Sequence, residues 1–480
     1  MTNTGKTDNK DGTIGDNRTK ATGYTRRGFM KSVGVSAALP LAEHLTALGR
    51  ENSQNRPNIV FILTDDQRYD AMSCAGHPFL KTQHIDRLAK EGVLFKNAFV
   101  TTSLCSPSRG SFLTGCYAHT HEVFSNAGKD PNPTFATFPQ LLQNAGYETA
   151  FMGKWHMAAG NSPRPGFDHW VSFSGQGNYN KNKLNVDGKV VSSDKYVTDD
   201  LTDYAVAFLK KNRNKPFMLY LSHKAVHGPF TPAKRHANLY SDVEIESRHN
   251  PKDNLDTKPP WGRKMDKNWK SQILSYFQTL VAVDESVGRV LDALEETDAM
   301  DNTAVIFAGD NGYFHGEHGG LWDKRAAYEP AVRIPLIMRY PKLAGPGTDC
   351  QELVLNIDLA PTLLELVGLP VPAAMQGQSW LGALRGRQGR QGFLYEYFPE
   401  KGDRFKRPAV LAVRTKRWKY ITYPLDSSFT SELYDLQADP EELNNLIGDT
   451  GHAETLNELK DELEKLKQQT RFRFPGPARR

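Results

Sequence analysis

Covalent cross-links, membrane spans and an excess of one charge are all scarce in this sequence. Its 480 residues include four cysteines, Cys74, Cys105, Cys116 and Cys350. That is too few for a disulfide scaffold, although one bridge between two of Cys74, Cys116 and Cys350 is compatible with the count. No stretch of about 20 apolar residues occurs, which argues against a bilayer-crossing helix in the mature chain. The formal charge is +5, but residues 1–50 carry eight Lys or Arg against four Asp or Glu, so the remainder is close to neutral. Such a balance gives no basic face for nucleic acid, and an anionic ligand has to be met by a local cluster of cations. There is no internal repeat. Hydrophobic residues make up 39% of the chain, enough for a large domain with a smaller one beside it.

The first 50 residues read as leader and address. Residues 1–23 are polar and too poor in apolar surface to order. Thr25-Arg26-Arg27-Gly28-Phe29-Met30-Lys31 then precedes a weakly apolar run, Val33 to Leu41, and the pair resembles a twin-arginine export signal. That resemblance implies passage through the twin-arginine translocase as a folded protein, to the periplasm or beyond, with a mature start near residue 50. A cofactor or an oxidised cysteine would then be installed before export.

From Pro57 short continuous apolar runs alternate with amphipathic segments that end in glycine, the pattern of a doubly wound α/β sheet. Four runs carry chemistry at their carboxyl ends. Asn58 to Thr64 ends in Asp65-Asp66; Glu148 to Met152 ends in Gly153-Lys154-Trp155-His156; Phe217 to Ser222 leads to His223 and His227; Thr303 to Ala308 ends in Gly309-Asp310-Asn311. Ligands of open parallel sheets bind at those ends, so four segments are expected to meet on one edge. Helices are predicted at Gln83–Glu91, Phe138–Ala145, Val197–Lys211 and Ser271–Glu296. Residues 233–268 break the rhythm and are expected to form an insertion over the site. A Gly-, Gln- and Arg-rich stretch from Gly377 to Gly392 marks a boundary, beyond which antiparallel strands and a charged helix, Ala453 to Gln468, are predicted.

One further stretch, Cys105-Ser106-Pro107-Ser108-Arg109-Gly110-Ser111-Phe112-Leu113-Thr114-Gly115, reads as a short helix with a sulfur at its entrance. Ser106 is the expected N-cap, Pro107 the first helical residue and Gly115 the left-handed stop. Unpaired N–H groups and Arg109 one turn on would favour a thiolate at Cys105. Asp65, Asp66, Asp310 and Asn311 are hard oxygen ligands suited to Ca²⁺ or Mg²⁺.

Cys-x-Pro-x-Arg followed by Leu-Thr-Gly resembles the signature of the type I sulfatases, in which the cysteine is oxidised to formylglycine by a formylglycine-generating or an anaerobic sulfatase-maturating enzyme. Gly153-Lys154-Trp155-His156, the Ala225-x-His227-x-Pro229 spacing, Lys324 in Trp322-Asp323-Lys324-Arg325, Tyr328 to Leu336 and Glu432 to Leu436 extend the resemblance from Pro57 to about Leu446. It implies an alkaline-phosphatase-like fold: a large mixed β-sheet sandwiched by helices, then a small C-terminal antiparallel sheet with a helix. The domains expected on that basis are a catalytic one over residues 51–385 and a C-terminal subdomain over 386–480.

The same resemblance implies a calcium ion, in preference to magnesium, on Asp65, Asp66, residue 105, Asp310 and Asn311. It assigns Cys105, Arg109, Lys154, His156, His227 and Lys324 to catalysis. Hydration of the aldehyde gives a geminal diol, held by Arg109 and Lys154, of which one hydroxyl attacks sulfur. His227 or Lys324 protonates the departing alcohol, and His156 takes the second hydroxyl's proton as sulfate is expelled. His223, His315 and His318 are candidate substrate contacts. The expected substrate is a sulfated glycan, with aryl sulfates, choline sulfate and small esters as other sulfate esters to test. Three rival readings share these residues: a phosphonate or phosphate monoester hydrolase on the same fold, a non-catalytic glycan-binding protein, and a hydrolase using the unmodified Cys105 thiolate.

Overall fold

Strand formation follows the apolar runs closely. A computed structural model describes residues 56–475 apart from 127, 212–213, 264–266 and 404; the leader and twin-arginine segment fall outside the described residues. The runs Asn58–Thr64 and Phe217–Ser222 are strands over the predicted residues, while Glu148–Lys154 and Thr303–Gly309 each extend past the predicted end. With His169–Phe173 they make a parallel set in the order 303–309, 58–64, 217–222, 148–154, 169–173. Leu336–Arg339 pairs antiparallel with Thr303–Gly309, and an antiparallel hairpin, Asn182–Val186 with Lys189–Ser193, closes the other side of a ten-stranded mixed sheet. The hairpin's outer strand is exposed along most of its length.

Both faces of the sheet are covered, which is why its central strands read as unbroken apolar runs. Along Asn58–Thr64, Val60 and Ile62 enter one core, with Tyr276, Leu280, Val283, Val287 and Leu291 of the helix Trp269–Glu296. Ile59, Phe61 and Leu63 enter the other, with Phe112, Phe138 and Leu363. The Phe61 ring lies 5.5 Å from that of Phe112 and 4.7 Å from that of Tyr220, so the first strand grips the cysteine-bearing helix directly. Emptying a buried phenylalanine site of this kind costs about 3–5 kcal/mol.

The helix itself spans Cys105–Thr114 and stops at Gly115, whose φ of 66° is the left-handed turn expected of it. Its start differs from expectation by two residues. Leu104 holds the extended N-cap geometry (φ −153°, ψ 134°), so Cys105 is already helical and Ser106 is not the cap. Asn126 Oδ1 accepts from the Ser106 N–H at 3.0 Å, doing from a distant loop what a cap side chain does locally. Gln83–Glu91 forms as predicted, and the other three helices differ by one or two residues at an end. Gly392–Tyr397, Val410–Thr415, Trp418–Thr422 and Glu432–Asp435 make a separate antiparallel sheet, followed by the helix Ala453–Gln469. The expected boundary at 385/386 falls in the connection from Leu381–Leu384 to Gly392, and the described residues form one compact unit. All four cysteines are free. Among the described residues no helix is long and apolar enough to cross a membrane.

Candidate active site

The parallel strands deliver their chemistry to one edge, and backbone bonds lock the ends together. Asp65 N–H donates to Ala225 O at 3.0 Å, Val226 N–H to Asp65 O at 2.8 Å and Asp310 N–H to Thr64 O at 2.9 Å. Gly153 sits where a Cβ would lie 1.8 Å from Ser222 O, with φ at 123°, so only glycine lets Lys154 follow it against the neighbouring strand. Asp66 (φ 60°), His156 (φ 59°) and Arg325 (φ 75°) all adopt left-handed backbone without being glycine. Such conformations persist where surrounding bonds over-determine them, as the ties between these strand ends do here.

Three cations meet three carboxylates in this cluster. Arg109 Nε donates to Asp310 Oδ2 at 2.9 Å, while its Nη1 donates to Ser222 Oγ at 2.6 Å and Lys154 O at 2.8 Å. Lys154 Nζ donates to Asp65 Oδ2, and Lys324 Nζ to Asp66 Oδ2 at 2.6 Å. Cys105 Sγ lies 3.3 Å from Asp65 Oδ1. His227 Nε2 is 3.7 Å from Asp66 Oδ2, and the contact of Nδ1 with Gly228 O at 2.6 Å places the Nδ1 proton and leaves Nε2 facing the cluster. His156 approaches from the helix side, its carbonyl accepting from Ser106 Oγ and its Nδ1 lying 3.5 Å from that oxygen. Every residue assigned to catalysis or metal binding from the sequence is therefore in this one cluster.

Burial dominates its electrostatics. Burial and the Asp65 charge push the Cys105 thiol well above the usual range, against Lys154 and Lys324. The thiolate expected from the helix entrance is thus not favoured, because Arg109 is committed to Asp310, and Asp65 is the nearer charge. Burial opposes ionisation of Asp65 as well, but Lys154, His227 and Arg109 hold it well below the ordinary carboxylate value. Asp310 is pushed the other way, up to about 7, by burial and by Asp65, against the pull of Arg109. His227 is pulled down to about 4, chiefly by burial.

Crowding of carboxylates that repel each other's ionisation is what a cation relieves. Donor atoms of Asp65, Asp66, Asp310 and Cys105 all lie within 4.8 Å of one another. Asn311 adds a buried Oδ1 with no hydrogen-bond partner, while its Nδ2 donates to Asp66 Oδ1 at 2.7 Å. A donor set of hard oxygens with an orphaned amide oxygen fits a hard divalent cation.

The three histidines considered as substrate contacts are not brought to this cluster. His223 is fully buried and turned towards the long helix, its Nε2 3.1 Å from Ser286 Oγ. His315 is also fully buried, its ring 4.7 Å from that of Tyr276 and 5.9 Å from that of Trp322. Adjacent positions on a strand or turn face opposite sides, which is how motif neighbours end in the core. His318 differs: it bonds Asp253 Oδ2 at 3.1 Å and lines a cavity of about 500 Å³ together with Arg68, Tyr69, Asp70, Arg248 and Glu317. The insertion thus contributes Arg248 and Asp253 to that cavity, and its Trp261 and Gly262 share a smaller one with Lys324. Ser222 and Asn126, which hold Arg109 and the helix start, have no signal in the sequence beyond Ser222's place at a strand end.

A buried cysteine among matched cations and a carboxylate cluster, at the carboxyl ends of parallel strands, suits the hydrolysis of an anionic ester. The chain belongs to the sulfatase family: the Sulfatase family model matches residues 57–369, and the model for the N-sulphoglucosamine sulphohydrolase C-terminal region matches 316–469. It is a sulfuric ester hydrolase with the alkaline-phosphatase-like fold. An N-acetylglucosamine-6-O-sulfatase of Bacteroides thetaiotaomicron is 34% identical over 93% of each chain. Human N-acetylglucosamine-6-sulfatase is 31% identical over 78% of this chain and 74% of its own. A solved structure in complex with its substrate D-glucosamine-2-N,6-O-disulfate superposes with a TM-score of 0.81 at 32% identity, covering 87% of this chain and 98% of that one.

Proposed function

We propose that the protein removes O-sulfate groups from a sulfated glycan, with 6-O-sulfated glucosamine or N-acetylglucosamine units as the leading substrate. Two relatives named for the 6-sulfate of N-acetylglucosamine support this, as does the structural neighbour's disulfated glucosamine substrate. The observation that carries the reading is Cys105 at the meeting point of Asp65, Asp66 and Asp310, the place where a formylglycine would face the ester.

In this reading residue 105 is oxidised by a formylglycine-generating or anaerobic maturating enzyme, and the hydrated aldehyde supplies the attacking hydroxyl. Calcium, held by Asp65, Asp66, Asp310, Asn311 and residue 105, would supply a fixed charge for a sulfate oxygen. The chain's own groups do the rest. Arg109 and Lys154 hold residue 105 in line; Lys324 Nζ hands a proton to the departing alcohol oxygen, or His227 Nε2 does so once the bound sulfate's charge has protonated the imidazole; His156 receives the proton released as sulfate leaves. The cavity lined by Arg248 and His318 would receive the sugar. Export in folded form by the twin-arginine translocase, to the periplasm or outside, fits a catalytic residue made before translocation.

The experiment is release of inorganic sulfate from N-acetylglucosamine-6-sulfate, from the same sugar sulfated elsewhere, and from a matched phosphate ester. Preference for the 6-sulfate is the expected result. Faster phosphate release would favour the monoester hydrolase, and no release from matured protein would contradict the assignment.

A further inference from the structure

Of the buried cations on the catalytic edge, one has no carboxylate of its own. Arg109 is matched by Asp310, Lys154 by Asp65 and Lys324 by Asp66. Lys224 is only 2% exposed, yet among the described residues no carboxylate lies within ion-pair distance of it and no side chain or carbonyl accepts from its ammonium. It lies over the ring of Tyr179, 4.7 Å from Nζ to the centroid. Burial, with repulsion from Lys154, pulls the ammonium down to about 8. The residue is buried but its ammonium nitrogen is not among the atoms shut off from water without a partner, so it stands at the site with no carboxylate of its own and open to an anion that arrives with the substrate.

Position supports that partner's identity. Lys224 lies two residues past the strand end at Ser222, in a turn closed by His227 N–H donating to Lys224 O at 3.0 Å. His223 N–H bonds Leu63 O and Val226 N–H bonds Asp65 O, both at 2.8 Å, so the turn is tied to the segment that carries Asp65. Tyr179 is fixed in turn by its hydroxyl, which donates to His227 O at 2.7 Å. The fields of Asp65, Asp66 and Cys105 all act on the ammonium, although each of the two carboxylates is taken by another cation.

We propose that Lys224 is a sulfate-binding residue, its ammonium donating to a non-bridging oxygen of the ester's sulfate group while the Tyr179 ring supports it in the empty protein. The inference rests on the reading of this edge as the sulfate centre and adds a contact to it.

The test uses mature protein with calcium present and inorganic sulfate as the probe, measured as its inhibition constant for turnover and as the melting-temperature rise it causes. Lys224→Met is expected to weaken sulfate about ten- to hundredfold, the worth of a charge-assisted hydrogen bond, and Lys224→Arg to restore part of it. A purely structural lysine would lower the melting temperature on replacement by methionine. An unpaired one should leave the empty protein's melting temperature unchanged or raise it. Lys224→Gln is read in the same way should the methionine variant not fold. Sulfate affinity within about twofold of the unsubstituted protein in either folded variant would overturn the proposal. Absence of any sulfate release by the unsubstituted, matured protein is a separate outcome, and contradicts the underlying reading instead.

Discussion

Arg109 and Asp310 are 201 residues apart in sequence, and the guanidinium Nε of one meets the Oδ2 of the other at 2.9 Å with both side chains buried. This contact joins the cysteine helix to the end of the Thr303–Gly309 strand. Through Ser222 Oγ and Lys154 O the same guanidinium also reaches two further strands.

Arg109→Lys should therefore fail although charge is kept. A lysine has no planar fork with which to serve Asp310, Ser222 and Lys154 together. Loss of about 3–5 kcal/mol of stability is expected, the cost of breaking a buried pair, with sulfate release falling at least about a hundredfold as residue 105 loses its support. Denaturant unfolding and turnover of the same preparation check both.

Removal of the divalent ion should act on stability as well as on rate. With the ion at about 100 times its dissociation constant, binding to the folded state alone contributes about 2.7 kcal/mol. Chelator is expected to lower the melting temperature of the native chain, and calcium to restore it more fully than magnesium. In Asp310→Asn that calcium-dependent rise should shrink or vanish; a rise of native size would remove Asp310 from the ligand set.

Outside the catalytic cluster, His119 Nδ1 lies 2.6 Å from Glu396 Oε2, a buried pair between the segment after the cysteine helix and the C-terminal sheet. Burial lowers the imidazole's affinity for a proton, but the Glu396 charge and hydrogen bond outweigh it, so the folded pKa lies above the ordinary 6.5. A raised folded value means the pair's stabilisation is complete below pH 6.5 and is lost as pH rises through the folded pKa. His119→Gln should flatten stability measured by urea unfolding across that window, and lower it most on the acidic side.

Much of this site could be read from the chain, for a physical reason. A strand buried on both faces has to be apolar until it emerges, so the first polar residues after Thr64, Gly153 and Gly309 mark where each strand meets its ligand edge. Pro107 and Gly115 bracket the helix because each has few backbone options. What could not be read depends on tertiary bonds. Leu104 became the cap because a loop residue, Asn126, satisfies the next N–H. His223 and His315 went into the core because the direction of a side chain just past a strand end is set by what packs on either side. The hairpin at 182–193 has little signal in the sequence because its outer strand is exposed and has no long apolar run. The left-handed backbone at Asp66 and His156 falls on residue types that favour it only weakly, and at Arg325 on one that does not favour it.

The central claim is that the chain acts through an oxidised residue 105 and not through a thiolate. Burial and Asp65 push the thiol up in the empty site, and in the formylglycine reading an active protein contains no unmodified cysteine there. The direct measurement is the mass of the tryptic peptide from Asn97 to Arg109, taken from protein that releases sulfate. The account predicts a peptide lighter by the difference between a CH₂SH and a CHO group. An unmodified Cys105 in fully active protein would contradict it.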